Sequence, residues 1–73
     1  MKIYFTFKPF KNVYYYLTFS KTFKNHDYAM RFHKKLLDSK KVFELSMSYD
    51  TPKFYNKITI RELDEIITNK GDQ

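Results

Sequence analysis

The 73-residue chain has no cysteine, no tryptophan, one glycine and two prolines. Each shortage removes a class of function or of fold. Without cysteine there is no disulfide, no thiolate nucleophile and no sulfur ligand for a metal, a usage that fits a reducing cytoplasm. The single glycine is Gly71, so the glycine-rich loop that cradles nucleotide phosphates has no place to form, and P-loop chemistry is excluded. Apolar runs are short. The longest, Val13–Leu17, falls far below the ~20 residues needed to cross a bilayer. Lys8, Lys11 and Asn12 break up the stretch that follows Lys2, so no secretory signal is expected. The sequence predicts a soluble single domain, residues 1–73, in a cytoplasm, without a membrane partner.

Aromatic rings are abundant: eight Phe and seven Tyr, each able to bury ~150–250 Å². A chain of this length buries only about 60% of its unfolded surface, so dense aromatic packing is the expected substitute for covalent staples. The net charge of +6 is unevenly spread. Residues 1–41 hold ten basic against two acidic side chains, and residues 42–73 hold four against six. A basic half points to an anionic partner or to simple solvation of the surface.

The hydrophobic pattern changes period along the chain. From Lys2 to Lys8, Ile3, Phe5 and Phe7 alternate with Lys2, Tyr4, Thr6 and Lys8, the signature of a half-buried strand. Pro9 stops it, and Lys8–Asn12 reads as a turn. Asn12–Phe23 alternates again, with Val13, Tyr15, Leu17 and Phe19 inward and Tyr14, Tyr16, Thr18 and Ser20 outward. Asn25 or Asp27 then caps a helix over Tyr28–Lys41. Its inner stripe is Ala29, Phe32 and Leu36, flanked by Tyr28, His33 and Leu37, with Arg31, Lys34, Lys35 and Asp38 outside. Val42–Tyr49 forms a third strand with Phe43, Leu45, Met47 and Tyr49 inward. Tyr49–Lys53 is a turn, and Phe54–Ile58 is a short fourth strand. Thr59–Glu62, "TIRE", matches a capping box opening a second helix to about Asn69 on Ile60, Leu63, Ile66 and Ile67, with Gly71 placed to end it. A strand continuing through Ile60 is the competing reading. The expected fold is α+β, a small two-layer β-β-α-β-β-α domain with a mostly antiparallel sheet and helices on one face. The second face is then left to water or to a partner.

That face supplies the first candidate surface: Tyr4, Tyr14 and Tyr16 among Lys2, Lys8 and Lys11. Rings flanked by cations stack unpaired bases while lysine neutralises phosphate, and they serve equally well as a protein interface. The plain alternative is strand chemistry, since tyrosine pairs well across strands. The cation row Arg31, Lys34, Lys35 and Lys41 on the first helix can track a phosphate backbone, or it is an ordinary solvated face. His26 and His33 are seven residues apart, ~10.5 Å along a helix, too far to share one ion. Glu62, Asp64 and Glu65 suit the positive end of their helix. No cofactor or metal is implied. A small ribonuclease-type toxin with a sparse His, Arg and Tyr set is the enzymatic alternative.

In composition, a short chain rich in Lys, Asn, Tyr and Phe, the protein resembles the accessory proteins of phages and mobile elements in low-GC bacteria. That resemblance implies a non-enzymatic binding module: an inhibitor or modulator of a host nucleic-acid-handling protein or nucleoprotein complex, such as an anti-defence (anti-CRISPR) factor or a regulator of replication or transcription. Direct binding of single-stranded nucleic acid is the runner-up expectation. A homodimer closed through the tyrosine face is the third arrangement.

Overall fold

A computed structural model describes residues 1–53 and 56–71. In chain order the elements are β1 (Lys2–Lys8), β2 (Leu17–Thr22), α1 (His26–Ser39), β3 (Phe43–Ser48), β4 (Asn56–Lys57) and α2 (Ile60–Gly71). The β-β-α-β-β-α order and the two-layer α+β build are those expected. The sheet runs β3-β1-β2-β4. β1 is antiparallel to both neighbours, and β4 joins β2 in parallel through Leu17↔Asn56 and Thr18↔Lys57. Phe54 and Tyr55 of the expected fourth strand lie outside the described residues.

The core follows the alternation of β1. Ile3, Phe5 and Phe7 are buried with Phe19, Phe23, Ala29, Leu36, Val42 and Leu63. The Phe5 ring stacks on Phe19 at 5.0 Å and meets Phe32 edge-on at 5.4 Å, geometries that favour the ring quadrupoles. Both helices bring their apolar stripes to this face through Ala29, Leu36 and Leu63.

Helix boundaries are set by side-chain caps. Asn25 Oδ1 accepts from the Tyr28 amide at 3.2 Å, which settles the N-cap on Asn25 rather than Asp27. Lys40 closes α1 in a left-handed conformation, φ 59°, its amide donating to the Leu37 carbonyl. At α2 the capping box is reciprocal. The Glu62 amide donates to Thr59 Oγ1 at 3.1 Å, and the Thr59 amide donates to Glu62 Oε1 at 3.3 Å. Those two bonds satisfy orphan donors that a continuing strand would not have. α2 runs to Gly71, two residues past the expected end.

The second strand differs from expectation. β2 begins at Leu17, and residues 9–16 form a long connection. The ladder explains this. Phe7 faces Leu17, and one residue past Lys8 the partner strand reaches Pro9, which has no amide to donate. From Tyr15 back to Val13 the ladder therefore does not continue. Tyr15, expected inward, is 45% exposed.

β3 also departs from simple alternation. Thr6 faces Ser46 but Lys8 faces Phe43, so Phe7 stands opposite both Glu44 and Leu45. This is a β-bulge, and Glu44 carries it at φ 52°, a left-handed backbone that costs a non-glycine residue about 1–2 kcal/mol. The bulge reverses the parity of what precedes it. Phe43, expected inward, pairs with Lys8 of the outer face and lies under the Lys11 ammonium, 5.9 Å from its ring centre. Tyr49, also expected inward, falls beyond the end of β3 and is 62% exposed.

Candidate functional site: the outer face of the sheet

The outer face carries the side chains of β1 and β2 that alternate with the core: Lys2, Tyr4 and Thr6 opposite Thr22, Ser20 and Thr18, with Lys8 beyond them at the end of β1. Its centre is closed. Thr6 and Thr18 face each other across the ladder, their hydroxyls 3.2 Å apart, and both are buried. The expected open sheet face is therefore corrected. The physical reason is topological. β3 lies outside β1 and β4 lies outside β2, so the chain between them must pass from one edge of the sheet to the other. On this side the Thr51 side chain reaches the Tyr4 phenol.

Two tyrosine–lysine pairs remain, one at each end of β1. At the far end, Lys8 Nζ lies 5.4 Å from the centre of the Tyr16 ring and 2.6 Å from Glu44 Oε2. The Tyr16 hydroxyl donates to Glu44 Oε1 at 3.2 Å. One carboxylate thus joins β1, the β1–β2 connection and the bulge of β3. Hydrogen bonding to Lys8 holds the Glu44 carboxyl below its ordinary range, with Tyr16 adding to the effect; the same bond raises Lys8. Tyr14 stands outside this knot and is 98% exposed.

At the near end, Lys2 Nζ lies 5.5 Å from the centre of the Tyr4 ring. Hydrogen bonding by Thr51 lowers the Tyr4 phenol from its ordinary value, assisted by the charges of Lys2 and Lys57. Tyr4 and the pair Tyr14/Tyr16 are therefore not one platform. They sit at opposite ends of the strand, separated by the threonine pair.

Arg31, Lys34 and Lys35 lie exposed on α1, across the sheet from these tyrosines. The Arg31 guanidinium covers the Tyr28 ring at 5.3 Å, a stacking use of arginine. His26 and His33 are on the same helix, His26 exposed and His33 half-buried. Among the described residues no group of three His, Cys, Asp or Glu side chains is placed to hold a metal, and no helix is long and apolar enough to cross a membrane.

Sequence reasoning turned Ser20 and Glu44 outward without including them in the candidate surface, and it missed Lys57 and Thr51 as members of this face. Each comes from a different segment, and no spacing motif joins them. The one readable signal was Glu44, an isolated acid in an alternating strand opposite a basic one.

Comparison with family models, with curated proteins and with solved structures finds no match.

Proposed function

We propose that the chain is a non-catalytic binding protein that docks on a nucleic-acid-handling protein or nucleoprotein complex of a bacterial host through its β1–β2 connection. The observation that carries this reading is Tyr14, 98% exposed in a segment where Phe10 at 49% and Tyr15 at 45% are also turned outward. Aromatic rings grouped on one exposed segment are the usual anchors of a protein interface. Lys11 places a cation in the same segment, which suits an acidic partner surface.

Anchoring strengthens the argument. The connection is not a loose tether, because Tyr16 and Lys8 hold its base to Glu44. Rings presented on a fixed base lose less conformational entropy on binding than rings on a mobile one. The phage or mobile-element character implied by composition fits such a protein, whose action is occupation of a host surface.

The test is affinity capture from a bacterial lysate, with and without nuclease, using the native chain and the Tyr14→Ala/Tyr15→Ala variant. A partner retained after nuclease and lost with the variant is the expected result. A partner set unchanged by the variant, or one that disappears with nuclease alone, overturns the docking role of this segment.

A further inference from the structure

The near end of the outer face holds a feature that the docking segment does not use. A cavity of about 130 Å³ is lined by Lys2, Tyr4, Thr18, Ser20, Lys57 and Ile58. It is smaller than the ~300–1,000 Å³ sites that enclose a whole small molecule, so it suits one compact group.

The register explains how the lining converges. Tyr4 faces Ser20 across the β1–β2 ladder, and Thr18 faces Lys57 across the β2–β4 ladder. Lys2 shares the Tyr4 side of β1, and Lys57 shares the Thr18 side of the sheet. Two lysines from strands on either side of β2 thus line one cavity with Ser20. Neither lysine forms an ion pair among the described residues, where the ion pairs are Lys8–Glu44 and Arg61–Glu65. The Ser20 hydroxyl makes no hydrogen bond to another described side chain or backbone group. Thr18 has spent its own hydroxyl on Thr6. Like charges lining one cavity without a carboxylate repel each other, and an anion between them lowers that cost. Both charges also act on the phenol of Tyr4, so the field reaches the cavity itself.

We propose that this cavity binds a phosphate group, with the Lys2 and Lys57 ammonium groups and the Ser20 hydroxyl as its donors. Lysine binds phosphate as a point charge through charge-assisted hydrogen bonds. The phosphate has two sources with the same chemistry: the phosphodiester of a single-stranded nucleic acid, or free phosphate. The site stands independently of the docking segment, which lies at the other end of β1.

The experiment follows backbone amide resonances of the full chain during titration with inorganic phosphate in one arm and with dodecathymidylate lacking terminal phosphates in the other. The expected result is a saturable shift at Ser20 and Tyr4. In the Lys2→Gln/Lys57→Gln variant affinity falls at least tenfold. In Tyr14→Ala/Tyr15→Ala it is unchanged, so failure of this site and failure of the docking segment read separately. If the source is nucleic acid, the oligonucleotide saturates at lower concentration than phosphate, and the double lysine variant reduces the slope of log K against log salt by about 0.7, the value for one neutralised phosphate on a single strand. If phosphate shifts Ser20 and the oligonucleotide does not, the site takes free phosphate. No shift at Ser20 in either arm, shifts spread evenly over all lysine-bearing segments, or native affinity in the double lysine variant would each overturn the proposal.

Discussion

Tyr4 and Phe5 are adjacent on β1 and meet opposite sides of the sheet. Phe5 is fully buried among Phe19, Phe23 and Phe32, whereas Tyr4 stands half-buried beside Lys2 and Thr51. The contrast extends along the chain. Phe7, Phe19 and Phe23 are buried. Tyr4 and Tyr16 are half-buried, and Tyr14, Tyr15, Tyr28 and Tyr49 are exposed. One oxygen separates the two residue types. A phenol needs a partner when buried, so Phe5, Phe7, Phe19 and Phe23 fill the side of the sheet under the helices, while Tyr4 and Tyr16 take the side where lysine, glutamate and threonine meet them. The two aromatic sets have different work: one holds the fold, the other presents chemistry.

The sharpest way to break this comparison is to put the oxygen on the wrong side. Phe5→Tyr is expected to lower stability by about 2–5 kcal/mol, adding an unpaired buried hydroxyl to an overfilled site. For a domain of this size, whose total is about 4–11 kcal/mol at typical per-residue values, that is a large share. Urea unfolding measures it, and a loss under about 0.5 kcal/mol would show that the helix side of the sheet is not closed to water.

A smaller effect tests the middle of the outer side. Thr6→Val leaves the Thr18 hydroxyl buried without its partner and is expected to cost about 1–3 kcal/mol. The Thr6→Val/Thr18→Val double variant removes both polar groups at nearly equal volume and returns close to native stability. Equal losses in the single and double variants would mean that the hydroxyls are satisfied by something other than each other.

The smallest effect concerns the Lys8–Glu44–Tyr16 knot. The folded Glu44 carboxyl lies below its unfolded value, so its contribution is present above the unfolded value and is lost as pH falls through the folded one. Lys8 is raised, so its contribution is present below its unfolded value and is lost as pH rises through the folded one. The knot is therefore intact across neutral pH and opens in acid. Ring resonances of Tyr16 are expected to move as the solution is taken below the ordinary glutamate range of about 4.3, and to stay fixed over the same range in Glu44→Gln. Tyr16 resonances indifferent to acid in the native chain would remove the carboxylate from its anchoring role.

Much of the architecture was legible where a local rule had a local cause. The alternation of Lys2–Lys8 placed Ile3, Phe5 and Phe7 inside, and Thr59 with Glu62 marked the start of α2. What was illegible depended on partners distant in sequence. Val13–Tyr15 alternates like a strand, but a strand needs a neighbour, and Pro9 ends the β1 ladder where those residues would join it. Phe43 was misplaced because the bulge that reverses its side is set by register against β1. The lining of the phosphate cavity is drawn from three strands, so only the strand order β3-β1-β2-β4 brings it together. Lys2 and Tyr4 could be read as binding residues, while Lys57 could not.

The bulge at Glu44 has a consequence for life at high concentration. β3 is the outermost strand on its side of the sheet, and such a strand offers bare amides and carbonyls to any other chain. With a left-handed residue and an acid bound to Lys8 near its beginning, this rim is bent and charged where a flat one would template further strands. A protein carrying fifteen aromatic rings is thereby guarded against stacking into fibrils along its most vulnerable border.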